Sequence, residues 1–191
     1  MMRAMKIRSL LLLAALTCAL IHPAWAEDKP RVNIVTQFGT IEVELTPALA
    51  PQTVANFLAL VDNQFYDGLV FHRVIANFMI QGGGYNTSMT YKPAPDTVPN
   101  ESFNGVRNRK GTIAMARLSD PDSADSQFFI NVKDNTHLDG NGDQPGYTVF
   151  GQVVSGYDVV EQIELVDTHL SHGMAAVPEE PVVIKTIQRV E

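Results

Sequence analysis

The chain has 191 residues, a length that fits a single domain. Its 21 acidic residues outnumber its 14 basic ones, and the net charge of −7 argues against a nucleic-acid or anionic-membrane partner. The sequence contains one cysteine, Cys18, and one tryptophan, Trp25, and both lie near the N-terminus.

The first 26 residues have the pattern of a secretory signal peptide. Three basic residues precede an apolar run at 9–21, and Ala24-Trp25-Ala26 forms a small-x-small cleavage site. The run is shorter than the roughly 20 residues of a membrane-spanning helix, which favours cleavage over an uncleaved anchor. Cleavage after Ala26 leaves one domain, 27–191, without cysteine. Because the leader carries three basic and no acidic residues, the net charge becomes −10. We predict a periplasmic protein with no stable membrane association.

The first part of the domain predicts a hairpin, a helix and two further strands. Apolar and polar residues alternate over 31–37 and 40–45, which is typical of a β-hairpin. Apolar residues recur at helical spacing from Pro51 to about Asn63. Residues 69–75 and 78–81 then read as two strands joined by a tight turn.

The second part predicts more strands separated by long loops. The predicted elements are a loop at 82–109, strands at 111–116, 126–132 and 147–154, a helix at 157–165, a loop at 166–181 and a strand at 182–190. Phe128 and Phe129 are adjacent and must face opposite sides of their strand. The strands rarely alternate with helices, which argues against a parallel βαβ sheet. We predict a mainly β fold, a closed eight-stranded antiparallel barrel capped by two α-helices.

Arg73 stands inside the apolar strand at 69–75. Strand alternation predicts that Arg73 and Ile75 share one face and that His72 and Val74 share the other. A guanidinium on a half-buried strand is costly to desolvate without a partner. Two interpretations stay open from this stretch: a structural ion pair or snorkelling side chain, and a fixed guanidinium at the floor of an apolar pocket.

Motifs for metal, phosphate or covalent chemistry are incomplete. The glycines at 82–84 do not open a helix, so they do not form a phosphate cradle. His169 and His172 lack further nearby ligands, and the run 139–143 lacks the glutamate of a calcium loop because position 150 is Phe. No GxSxG motif occurs, although spacing alone does not exclude a Ser/His/Asp triad. We predict no metal and no cofactor, which leaves binding or a conformational reaction.

Five segments together resemble the cyclophilin family of peptidyl-prolyl cis-trans isomerases. They are FHRVIANFMIQGG, GTIAMA, SQFFI, LDG and YTVFGQVVSGYDVV, in order and at the right separations. The resemblance covers roughly 32–190 and implies the same capped barrel. It also implies isomerisation of Xaa-Pro bonds, with proline-containing polypeptides as partners. With the leader, it resembles the periplasmic bacterial members, so unfolded exported proteins are the expected clients and a monomer is the expected state.

The resemblance also implies roles for single residues. Arg73 sits at the position of the family's catalytic arginine. The residues that match the substrate-binding positions are Phe78, Met79, Phe129 and Leu138 in the proline pocket, Gln81 and Gln127 as hydrogen-bonding side chains, and Ala116 and Arg117 as backbone partners.

Three positions depart from the family pattern. Arg117 replaces a usual asparagine, His137 replaces the pocket tryptophan of many eukaryotic members, and Tyr147 replaces a frequent pocket histidine. We expect isomerase activity to survive, cyclosporin binding to be weakened, and the charge of Arg117 to alter preference near the proline. His137 as a metal ligand or pH sensor is a lesser alternative. The alternative function is a chaperone that holds proline-containing segments, but simple capture of a proline ring needs no buried cation such as Arg73.

Overall fold

A computed structural model describes residues 29–190, so the predicted signal peptide lies outside the described residues. The strands are β1 (Arg31–Thr36), β2 (Thr40–Leu45), β3 (Leu69–Ile75), β4 (Met79–Asn86), β5 (Thr112–Met115), β6 (Phe128–Asn131), β7 (Val149–Ser155), β8 (Thr168–Ser171), β9 (Met174–Pro178) and β10 (Val182–Arg189). The helices are α1 (Pro51–Asp62) and α2 (Tyr157–Glu164), with a short 3-10 turn at Thr136–Leu138.

Eight of these strands form a closed barrel in the order β1-β10-β3-β4-β6-β5-β7-β2. Every neighbouring pair is antiparallel, and β2 pairs with both β1 and β7, which closes the barrel. Closure leaves no free sheet edge. The predicted eight-stranded antiparallel barrel with two helices is confirmed.

Both helices bury one face in the barrel core. Phe57 of α1 is fully buried, with its ring 5.1 Å from that of Phe150 and 5.9 Å from that of Phe128. Val160 and Ile163 of α2 are also fully buried in the same core. Among residues 29–190, no helix is long and apolar enough to cross a membrane.

Strand β4 is longer than the sequence predicted. It runs through three glycines to Asn86, whereas the prediction ended it at Gln81. Gly83 has φ +87°, and a Cβ atom there would lie 2.9 Å from the carbonyl oxygen of Ser126. The glycines therefore do not end the strand. They let its backbone approach the neighbouring segment at Ser126 closely.

The predicted loop at 166–181 contains a second sheet, so that prediction was wrong. Strands β8 and β9 form an antiparallel hairpin whose turn residues, His172 and Gly173, both have positive φ. All four residues of β8 are exposed or partly exposed. Without a buried face, the strand shows no alternation of apolar and polar residues by which to detect it.

The segment 87–110 is irregular, as predicted, but it is anchored to the barrel. The carboxylate of Glu101 accepts hydrogen bonds from the backbone N–H groups of Gln52 (3.1 Å) and Thr53 (2.9 Å) and from the Thr53 hydroxyl (2.7 Å). The N-cap residue of α1, Ala50, has no side chain able to do this. Glu101 thus satisfies free N–H groups in the first turn of α1 and opposes the positive end of the helix dipole.

We expect Glu101→Gln to lower the free energy of unfolding by about 1–2 kcal/mol, because one amide oxygen replaces a charged, bidentate acceptor. Urea denaturation followed by circular dichroism measures the change. Glu180→Gln is the control: Glu180 is exposed between β9 and β10, and its loss should cost less than about 0.5 kcal/mol. Equal stability of the two variants would show that Glu101 does not support α1.

Candidate functional site

The outer face of strands β4, β5, β6 and β7 carries a second apolar cluster, separate from the barrel core. Its buried members are Met79, Ala114, Phe129 and Val149. Phe128 belongs to the barrel core, whereas Phe129 belongs to this outer cluster, so the two rings face opposite sides as predicted. The barrel wall therefore supports an apolar surface on its outside as well as a core within.

A small cavity of about 170 Å³ opens on this surface. It is lined by Arg73, Phe78, Met79, Gln81, Ala116, Arg117, Phe129, Leu138 and Tyr147. All nine are residues that the sequence predicted for the site. Five of the nine have apolar side chains, and Arg73, Gln81 and Arg117 supply polar groups.

A larger cavity of about 530 Å³ lies beside the first. The two share Arg73, Gln81, Ala116 and Arg117. The larger cavity also contains Gln127, which the sequence predicted for the site. The small cavity thus opens into a larger groove, and Arg73 stands at the junction.

The guanidinium of Arg73 is held by a chain of amides. Arg73 Nη1 donates to Oε1 of Gln81 at 3.4 Å, and Gln81 Nε2 donates to Oε1 of Gln127 at 3.2 Å. Gly84 leaves space for this arrangement, because a Cβ atom there would lie 2.5 Å from the Gln127 side chain. Within residues 29–190, no carboxylate forms an ion pair with Arg73. The structure thus favours the fixed guanidinium over the structural ion pair.

His72 lies on the same side of β3 as Arg73, which corrects the prediction of opposite faces. The pairing with β4 shifts register between Phe71 and Arg73, so a bulge forms at His72 and breaks the alternation. His72 and Arg73 both line the larger cavity, while Val74 packs in the core. Burial, and secondarily the charge of Arg73, lowers the pKa of His72 to about 4. The imidazole is therefore neutral near pH 7.

Arg117 braces a neighbouring loop with its side chain. Its guanidinium donates to the carbonyl oxygens of Gly146 (3.1 Å), Pro145 (2.8 Å) and Leu118 (2.9 Å), and it lies 4.8 Å from the centre of the Tyr147 ring. This side chain is engaged with protein groups on several sides. The arrangement gives it a structural task at the pocket wall and does not support the predicted effect of its charge on substrate preference.

His137 does not line either of these cavities. It lies exposed on the 3-10 turn, with its ring stacked on Phe78 at 5.8 Å and 22°. It therefore backs one wall of the small cavity from outside. Among residues 29–190, no group of three or more His, Cys, Asp or Glu side chains could hold a metal ion, so the structure offers no support for His137 as a metal ligand.

Several residues of the larger cavity were missed from the sequence. Tyr91 donates a short hydrogen bond to Asp125, and this bond raises the pKa of the Tyr91 phenol to about 12. Met174 and Ala175 reach the cavity from strand β9. Tyr91 comes from the predicted loop at 82–109, and Met174 and Ala175 come from the predicted loop at 166–181; no motif marked them.

The chain is similar to known proteins in both sequence and structure. The family model described as cyclophilin type peptidyl-prolyl cis-trans isomerase/CLD matches residues 31–189. A peptidyl-prolyl cis-trans isomerase of Acinetobacter baylyi is 48% identical over 170 residues, covering 88% of this chain and 90% of the relative. One from Streptomyces antibioticus is 51% identical over 158 residues, covering 81% and 95% respectively.

A solved structure gives the same result for the fold. The cyclophilin type isomerase of Cryptosporidium parvum, crystallised in the presence of the dipeptide Ala-Pro, superposes with a TM-score of 0.69 at 26% identity. The match covers 84% of this chain and 99% of that one. With a barrel of this topology, a matching family model over residues 31–189 and relatives near 50% identity, the chain belongs to the cyclophilin family and is a peptidyl-prolyl cis-trans isomerase.

Proposed function

We propose that this isomerase uses Arg73 as its catalytic cation and acts on Xaa-Pro bonds of exported polypeptides in the periplasm. One observation carries the catalytic part: a guanidinium without a carboxylate partner in the described chain stands where the small cavity, walled by Met79 and Phe129, meets the larger groove. The small cavity has the size for a proline ring, and the larger groove has room for the chain that precedes it. The site thus presents a cation at the point where the prolyl nitrogen would lie.

The two cavities would bind different parts of the substrate. The ring of proline would occupy the small cavity beside Met79 and Phe129, where burial of its methylene groups is favourable. The preceding residues would lie along the groove, beside Gln81 and Gln127. The N–H of Ala116 already donates to the carbonyl of Gln127 at 2.9 Å, so pairing of Ala116 with a substrate backbone would use its carbonyl oxygen.

Rotation about the Xaa-Pro bond is slow because amide resonance raises a barrier of about 18–20 kcal/mol. In the twisted state the prolyl nitrogen becomes pyramidal and its lone pair can accept a hydrogen bond. A donor from Arg73 would stabilise that state and not the planar one, which is the requirement for catalysis. Each ~1.4 kcal/mol of such selective stabilisation gives a tenfold faster rotation.

Sequence features outside the described residues support the cellular part of the proposal. The basic start, the short apolar run and Ala24-Trp25-Ala26 fit a cleaved leader, and the domain that follows has no cysteine to oxidise. Unfolded exported chains expose Xaa-Pro bonds that exchange over tens of seconds or longer. An isomerase in that compartment would shorten those folding phases. The monomeric state remains a prediction.

We expect Arg73→Lys to lower kcat by about tenfold or more and to change KM by less than threefold. A flexible ammonium cannot present the planar donor fork, although it keeps the charge. Exchange NMR on an Ala-Pro peptide, at several peptide concentrations, gives both constants, and circular dichroism checks folding. Arg31→Lys is the matched control, because Arg31 pairs with Glu42 and Glu44 outside both cavities. Near-normal turnover by a folded Arg73→Lys protein would remove Arg73 from the chemistry.

We expect a bacterial host that produces the full chain to export it and cleave it after Ala26. Osmotic-shock fractionation and N-terminal sequencing should find a periplasmic protein that begins at Glu27. Ala26→Arg is the control, because a large charged residue at the cleavage site should leave the leader attached. A cytoplasmic protein that keeps Met1 would contradict the proposed location while leaving the isomerase activity intact.

We expect His137→Trp to tighten cyclosporin binding by tenfold or more. The family resemblance assigns part of that contact to a tryptophan at this position, and an indole adds apolar area beside Phe78. Titration calorimetry with cyclosporin measures the affinity, and His169→Trp on the β8–β9 hairpin is the matched control. Strong binding by the unmodified protein would show that His137 does not weaken the site.

A further inference from the structure

Three fully buried asparagines lie behind the small cavity. Asn108, Asn131 and Asn135 each have 0% exposed surface. Asn131 ends strand β6, which otherwise consists of buried apolar residues, and it pairs with Met79 across the β4–β6 ladder. A buried amide costs free energy unless its hydrogen-bonding groups find partners. Three such side chains close together therefore need hydrogen-bond partners within the protein.

Asn131 is the centre of a hydrogen-bonded network. Its amide nitrogen donates to Oδ1 of Asn108 at 3.2 Å and to the hydroxyl of Thr112 at 2.9 Å. Its own Oδ1 accepts a bond from the amide of Asn135 at 2.8 Å. Asn108 and Asn135 are also joined through their backbones, by a 2.7 Å bond from Asn135 N–H to the Asn108 carbonyl. We call these three asparagines the amide network.

The amide network holds three walls of the small cavity by their backbones. Asn135 donates to the carbonyl of Phe78 at 2.7 Å, and its own carbonyl accepts from the N–H of Leu138 at 2.8 Å. Asn108 donates to the carbonyl of Tyr147 at 3.3 Å. Three cavity walls that are distant in sequence, at 78, 138 and 147, thus meet through shared amides.

A second contact of Asn108 fixes the loop that carries Leu138. Both the backbone N–H and the side-chain amide of Asn108 donate to Oδ1 of Asp139, at 2.7 and 3.1 Å. The carbonyl of Leu138 in turn accepts from the N–H of Tyr147 at 2.9 Å. The walls at 138 and 147 are therefore bonded to each other as well as to the network.

We infer that Asn131, through Asn108 and Asn135, is a positioning residue that keeps the proline pocket open in its binding shape. Five of the six side-chain polar atoms in the network are hydrogen-bonded, and Oδ1 of Asn135 is the one that has no partner among the described residues. A buried polar network with nearly all of its groups paired is rigid and specifies one arrangement of the groups that it joins. A pocket that is already ordered loses less entropy when a ring enters it, so the network should act on affinity. None of the three asparagines lines either cavity or bonds to Arg73, so the rotation step should depend on them little.

This inference rests on the assignment of the small cavity as the proline pocket under Proposed function. The test is Asn131→Leu, which keeps the size of the side chain and removes all three of its hydrogen bonds. Asn135→Ala is the second variant; it removes the bonds to Phe78 and Asn131 and alone decides the matter if Asn131→Leu fails to fold. Thr53→Val is the matched control, because it removes a buried hydroxyl bond at the start of α1.

Exchange NMR with an Ala-Pro peptide at several concentrations gives KM and kcat, and thermal denaturation gives the stability of each variant. We expect Asn131→Leu and Asn135→Ala to raise KM about tenfold and to change kcat by less than threefold. Thr53→Val, compared at a similar loss of thermal stability, should keep both constants. The asparagine variants should thus change KM and spare kcat, whereas Arg73→Lys should change kcat and spare KM.

Two results would overturn the inference and are distinguishable from failure of the proposed function. If the unmodified protein accelerates exchange while both asparagine variants keep its KM, the network has a structural role alone. The same conclusion follows if their constants change no more than those of Thr53→Val. If the unmodified protein does not accelerate exchange at all, the assignment of the pocket fails first, whatever the asparagine variants do.

Discussion

Side-chain alternation across strand β6 is the constraint on which the rest of the site depends. The strand forms part of a closed barrel whose interior is filled, so each inward residue must be matched by an outward one. Phe128 enters the core and Phe129 faces out, where a ring of that size needs apolar neighbours. The outer cluster supplies them, and the pocket is the space that these side chains leave. Core and site are therefore two faces of one wall.

The same wall explains how a cation is held without a partner carboxylate. Arg73 lies on strand β3, which pairs with β4 at Arg73 itself and with β10 two residues earlier, at Phe71, so the barrel wall positions its backbone. Its amide contact, Gln81, is its partner across the β3–β4 ladder. An amide holds the guanidinium in place without neutralising its charge. A carboxylate at the same point would compete with any substrate nitrogen for the donors.

Much of this architecture could be predicted from the sequence, because periodicity reports which face of an element is buried. The barrel strands, both helices and the split between Phe128 and Phe129 follow from that signal. The face on which His72 lies could not be predicted from periodicity. A bulge depends on the partner strand, where glycine lets the backbone shift. The role of Glu101 could not be predicted either, since it caps a helix 48 residues earlier in the chain. Contacts between distant segments leave no local sequence pattern. The exposed strand β8 has no buried face, so its sequence shows no apolar periodicity.

The polar residues of the site region differ in how many of their hydrogen-bonding groups are already occupied by protein neighbours. The guanidinium of Arg117 binds three carbonyls and stacks on Tyr147, so its contribution is to hold a wall. Asn108 engages Asp139 and Tyr147 in a similar way from the buried side. Arg73 has one long bond of 3.4 Å to a neutral amide. Arg73 is half-buried, and this single bond leaves other N–H groups of its guanidinium available to a bound group. The two arginines carry the same charge, but Arg117 supports a wall of the pocket, whereas Arg73 keeps donors available for the catalytic role proposed for it.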